Sequence, residues 1–156
     1  MDRWDQVNAV QRMQDFMVKH VKDPITLYDL AKISGYSPWH TGRIFKELTG
    51  KTPFEYLRAY RLSQAALILR DEKTRVMDVA FDFLFDAPEG FTRSFSNFFG
   101  INPAYYKKHT PPIKLFLPSD VRSYYLYLNK KEKKMNKDKQ VGSIFVQVID
   151  RPDRML

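Results

Sequence analysis

The sequence predicts an all-α protein: two helix-turn-helix units joined by a long helix, with a short, partly β or irregular C-terminal extension. Two observations carry this. Arg43-x-Phe45, Gly50, Pro53 and Tyr56 return fifty residues later as Arg93-x-Phe95, Gly100, Pro103 and Tyr106. Such self-similarity marks one supersecondary unit used twice. Upstream, Leu30-Ala31 with Gly35-Tyr36 answers Val79-Ala80 with Leu84-Phe85 at an offset of forty-nine, so the second turn has one extra residue. The other observation is that helix start and stop signals within each copy spell helix, tight turn, helix.

In chain order, Trp4, Val7, Val10, Met13, Phe16/Met17 and His20/Val21 recur every three or four residues. That spacing writes an amphipathic helix, ended near Lys22-Asp23-Pro24 because a residue before proline disfavours helix. Thr26 caps a helix over 27–33 that buries Leu27, Leu30, Ala31 and Ile33. Gly35 suits the sharp turn. Ser37-Pro38 then starts a helix over 38–49, with Ile44, Phe45 and Leu48 inward and Gly50 as its stop. Thr52-Pro53-Phe54-Glu55 supplies a capping box and a first-turn proline. The helix it opens, to about Leu69, buries Leu57, Leu62, Ala65/Ala66 and Leu69 and acts as a strut of about 25 Å.

Thr74 opens the second copy with a helix over 75–82 and a turn at Phe83-Leu84-Phe85. Asp86 and Glu89 offer another capping box for a helix over 87–99 that buries Phe91, Phe95 and Phe98. Asn102-Pro103 caps a last short helix through Lys108, with Tyr105 and Tyr106 docking on the core. His109-Thr110-Pro111-Pro112 reads as a boundary. Ile113–Leu117 has strand propensity, and Ser119-Asp120 offers a cap for a segment through Asn129. Tyr124, Tyr125 and Tyr127 fit helix and strand equally. Lys130–Lys139 holds six lysines in ten residues, the usual mark of a solvated linker. Residues 144, 146 and 148 alternate as in a strand that needs a partner to bury its face. The expected organisation is a helical unit over 1–110, a linker over 111–140, and the first strand of a truncated second domain over 141–156.

A hydrophobic content of 44% supports a packed core, and the chain has no cysteine to make disulfides or thiolate metal sites. With no membrane-length apolar run, the expectation is a soluble, cytoplasmic protein. The net charge of +8 is unevenly placed: residues 1–112 carry 16 Lys+Arg against 13 Asp+Glu, and residues 113–156 carry 10 against 5. Position, not bulk charge, must therefore carry a nucleic-acid reading. The polar inventory for catalysis is poor. His20, His40 and His109 are dispersed, and no metal-ligand spacing, phosphate loop or nucleophile motif appears, so no enzyme and no cofactor are expected.

Residues 6–110 resemble the DNA-binding domain of the AraC/XylS family of bacterial transcription regulators. The resemblance rests on Arg61-Leu62-x-x-Ala65 and Leu69, Val79-Ala80, Phe85, Phe91-x-Arg93-x-Phe95, Gly100 and Pro103-x-x-Tyr106. It implies homeodomain-like units whose second helices enter successive major grooves of double-stranded DNA. Carried over position by position, the contacts are Trp39, His40, Gly42, Arg43 and Lys46 in the first unit. In the second they are Glu89, Gly90, Thr92, Arg93 and Asn97. It further implies an activator that contacts RNA polymerase and associates with the nucleoid when bound to DNA. Residues 146–156 resemble the opening strand of a GyrI-like domain through Val146, Val148 and Pro152, which implies a small-molecule effector bound outside this chain.

Four departures bear on site reading. Gly42 replaces a long polar base reader, Thr41 a leucine, Leu84 the usual turn glycine, and Ser96 a basic residue. Arg43 and Arg93 have the forked donors that read guanine edges, yet either can instead pair with a carboxylate of its own chain. Trp39 suits either the sugar-phosphate backbone or the core, and Glu89 either cytosine or the capping box with Asp86. Two other functions stay open at this level: a helical protein-interaction or ligand-sensing module that no longer reads DNA, and a nonspecific packaging protein that uses its lysine run.

Overall fold

The structure, a computed structural model, describes residues 2–140, with side chains as far as Asn136. All regular structure among them is helical: α1 (Arg3–Lys19), α2 (Leu27–Ser34), α3 (Pro38–Thr49), α4 (Pro53–Asp71), α5 (Val76–Asp82), α6 (Pro88–Phe99), α7 (Pro103–His109) and α8 (Val121–Gln140). The expected strand at 144–148 lies outside the described residues.

Most start signals act as read. The Thr26 hydroxyl accepts from the Asp29 N–H while Asp29 accepts from the Thr26 N–H, and Thr52 and Glu55 do the same at α4. Ser37 and Asn102 accept from the amides of His40 and Tyr105. Gly35, Gly50 and Gly100 end their helices at φ of 85°, 85° and 81°, where a Cβ would be strained.

The second unit departs from expectation at both of its helix starts. At α5 the cap residue is Arg75, without a side-chain cap bond, and its guanidinium pairs with Asp78 instead. The Asp86–Glu89 capping box does not form. Pro88 takes the first helical position, which makes Ala87 the cap and leaves Asp86 one residue too early. Aromatic packing compensates: Phe91 meets Phe85 at 5.2 Å and Phe95 at 5.6 Å, and Phe95 meets Phe99 at 4.6 Å. Tyr106 joins this cluster, whereas Tyr105, expected on the core, is 50% exposed and stacks on His109.

The α5–α6 turn is built against the preference of its sequence. The Leu84 N–H donates to the Phe81 carbonyl and the Phe85 N–H to the Ala80 carbonyl. That pair of bonds is a Schellman cap, whose left-handed position normally holds glycine. Leu84 itself adopts it at φ 69°, so the turn does use a positive φ, on a residue that resists it.

Two cores share α4. The first gathers Val10, Met13, Met17, Leu30, Ile44, Phe45, Tyr56 and Leu57; the second gathers Leu62, Ala65, Ala66, Leu69, Val79, Ala80, Phe91 and Phe95. Two arginines tie helix ends together by donating to free carbonyls: Arg12 to Ile33 and Ser34 at the end of α2, and Arg61 to Val21 and Asp23 after α1.

Residues 111–120, expected as part of a linker, cross the helical body instead. Ile113 and Leu115 pack against the second core, while Phe116 and Val121 are buried in the first. The uncertain Tyr124–Tyr127 segment is helical. Asp120 caps α8 by accepting from the Ser123 amide, and the amides of Val121 and Arg122 donate to the side-chain oxygens of Gln14 and Gln11 on α1. Tyr125 meets Trp4 at 5.6 Å, so α8 runs back along α1 in the opposite direction.

Candidate nucleic-acid interface

The second helices, α3 and α6, each bury one face in their own core and leave the other open. In α3, Thr41, Ile44 and Phe45 are buried. Thr41 suits its leucine-type position because its hydroxyl bonds the buried Ser34 hydroxyl at 2.7 Å. Opposite, Trp39 is 71% exposed, Arg43 and Lys46 are exposed, and His40 and Gly42 are half-buried. The His40 ring stands edge-on to Tyr36 at 5.0 Å, with its Nε2 out of solvent and unbonded. In this rotamer, that nitrogen is turned from the open face. In α6, Phe91 and Phe95 are buried, Glu89, Arg93 and Asn97 are exposed, and Gly90 and Thr92 are half-buried.

The two repeated arginines differ. Arg43 Nε lies 3.2 Å from Glu47 Oε1, and its guanidinium sits over the Trp39 ring at 5.2 Å. The ion pair is exposed on both sides and worth ~0–1 kcal/mol, little obstacle to exchange for another partner. Arg93 makes no ion pair or hydrogen bond to the described residues. Glu89, freed from its expected capping role, likewise has no ion pair or hydrogen bond among the described residues. Two forks in equivalent places thus have different ground states, one docked and one free.

Gly42 and Gly90 interrupt these helices where nothing in the fold requires glycine. A Cβ built on either meets no atom within 4 Å, and neither has a positive φ. Mid-helix glycine costs ~1 kcal/mol relative to alanine, so a purely internal account leaves Gly42 unexplained.

Between α4 and the second unit, a cleft of about 580 Å³ is lined by Phe54 and Arg58 of α4, Leu84 of the strained turn, and Glu89, Gly90 and Arg93 of α6. Arg58 was missed in the reading of the sequence. It is exposed, has no ion pair among the described residues, and lies one turn after the 43%-exposed Phe54. The available signal was a Phe-x3-Arg stripe off the buried face of the strut.

Two short helix pairs, each presenting its second helix outward from a shared strut, define a double helix-turn-helix protein. Residues 30–109 match a family described as a helix-turn-helix domain. The chain is 34% identical over 119 residues to the transcriptional regulator Rob of Salmonella typhimurium, covering 71% of this chain and 41% of that protein. It is 33% identical over 98 residues to the regulatory protein SoxS of the same organism, covering 63% of this chain and 92% of that protein. Among solved structures, the DNA-binding domain of the global transcriptional factor AdpA, in complex with a target DNA, superposes with a TM-score of 0.60. That match is 25% identical and covers 64% of this chain and 89% of that one. The chain belongs to the AraC/XylS family. It spans 41% of the length of its Rob relatives.

Proposed function

We propose that this chain is the DNA-reading part of a bacterial transcription regulator, placing α3 and α6 in successive major grooves of double-stranded DNA. The observation that carries this is the pair of outward helices on one strut, in a fold shared with a domain solved on its target DNA. Its chemistry is recognition, not catalysis. Arg93 and Arg43 read base edges, with Thr92, Asn97 and Lys46 beside them. Gly42 and Gly90 let the helix backbone come close, while Trp39 and His40 flank the first helix and Glu89 accepts from a cytosine amino group. The first-turn amides of α6 meet no side-chain cap, which leaves them to donate to a phosphate. Activation through RNA polymerase, a small-molecule effector bound by a part outside this chain, and a cytoplasmic location complete the proposal.

Selection of bound duplexes from a random DNA library, followed by salt titration of a selected and a scrambled duplex, tests it. The expected result is an enriched two-part site, bound more tightly than the scrambled duplex at every salt concentration. Equal binding to both, or no enrichment, overturns the proposal and favours a module that has stopped reading DNA.

A further inference from the structure

We propose that residues 111–121 form a staple that fixes the spacing of α3 and α6, and so set which separation of two DNA half-sites the protein accepts. In its DNA consequence this rests on the function proposed above. The α4 strut alone leaves each unit attached along a different stretch of one helix, with Leu57 in the first core and Leu69 in the second. Rotation of the units about that helix is opposed only by contacts that span both. The segment supplies such contacts in a row. Ile113 and Leu115 lie on the second core, and Phe116 is fully buried in the first, its ring edge-on to Tyr56 at 5.0 Å. Between them, the Phe116 N–H donates to the fully buried Ser63 hydroxyl at 2.8 Å, in the middle of the strut.

Both ends of the staple are tied. Behind it, α7 carries the buried Tyr106. Ahead of it, the Gln14 amide donates to the Tyr56 hydroxyl and the Ser119 carbonyl, and Gln14 Oε1 accepts from the Val121 amide. A buried amide with its bonds met holds one geometry, since any shift leaves a polar atom unpaired. The family match ends at residue 109, so this segment lies beyond the part that defines the family.

This chain has no cysteine, so the 156-residue chain carrying Lys46→Cys and Asn97→Cys takes two nitroxide labels cleanly, one on each outward helix. Electron–electron distance measurement without DNA should give one narrow distribution. Adding Phe116→Ala should broaden or shift it while helical circular dichroism is retained. An unchanged distribution overturns the staple. Should Phe116→Ala unfold the protein, Ile113→Ala with Leu115→Ala replaces it, because both side chains are only half-buried and the first core stays intact. In a second arm, library-selected duplexes with one base pair inserted between half-sites displace one site by about 3.4 Å. The unlabelled parent should lose about tenfold or more in affinity on insertion, and the staple variant should lose markedly less. Equal losses overturn the spacing role. If no duplex is selected, the DNA reading fails, and the label distances still decide whether the staple holds.

Discussion

Arg43 and Arg93 occupy the same place in the repeat, yet among the described residues only Arg43 is engaged by its own chain. Arg43 rests between Glu47 and Trp39 and would exchange those contacts for a base on the proposed reading, whereas Arg93 has no partner to exchange among the described residues. Arg93→Ala should therefore cost ~1–3 kcal/mol at one or two base positions of a selected site, with less effect on random DNA. Arg43→Ala should cost less, as judged by competition binding on single-base variants. A uniform loss across sequences would make Arg93 a phosphate contact instead. Gly42 gives an independent check, because its missing side chain has no internal reason. Gly42→Ala should raise stability in urea by up to ~1 kcal/mol and weaken DNA binding. Gains in both would remove Gly42 from the interface.

At the scale of the element, the first unit is better capped than the second. Hydrogen bonds from the Thr52 side chain and backbone hold Glu55 below its ordinary 4.5, and the Thr26 backbone and side chain do the same for Asp29. Because the folded value is the lower one, this stabilisation is complete above the ordinary value and is lost as pH falls through the folded one. Thr52→Ala should cost ~1 kcal/mol near neutral pH. It should also flatten the loss of stability below pH about 4.5, as followed by urea melts across the acid range. The α5–α6 turn makes the opposite case. Left-handed backbone costs a non-glycine residue ~1–2 kcal/mol, and Leu84 is 39% exposed, with limited packing to lose. Leu84→Gly should raise the urea midpoint. A lower midpoint would show that the leucine side chain, at the mouth of the cleft beside Arg93, contributes more than its backbone strain costs.

For the whole molecule, the fold does not close at the Pro111-Pro112 boundary. A chain ending at residue 112 would leave open the space filled by Phe116 and strand Gln14 without the Ser119 carbonyl or the Val121 amide. Removing a buried Phe side chain typically costs ~3–5 kcal/mol. The shortened chain should thus melt well below the full one by circular dichroism, and an unchanged midpoint would return 111–120 to the role of a linker. The basic excess past residue 112 belongs partly to α8, where Lys130, Lys131, Lys133 and Lys134 continue a helix tied to α1 by its first turn.

The sequence by itself determined the two units, the strut and most helix boundaries, because caps, first-turn prolines and stop glycines act within four residues. The buried faces of α1 and α4 were legible for the same local reason, through a period set by the helix. Pro88 shows the limit of adjacency: a capping box and a first-turn proline competed for one helix start, and the ring, which fixes φ, decided it. What only the tertiary structure decided depends on partners far along the chain. The residue type at Leu84 gives no sign that it takes the glycine conformation, which the folded turn holds with Phe85 packed on Phe91. Tyr124–Tyr127 suited helix and strand alike until Gln11 and Gln14, more than a hundred residues away, accepted the first amides of α8. The docking of Arg43 is by contrast a local matter, set one turn along its own helix: Glu47 follows Arg43, whereas Asn97 stands at the matching place after Arg93.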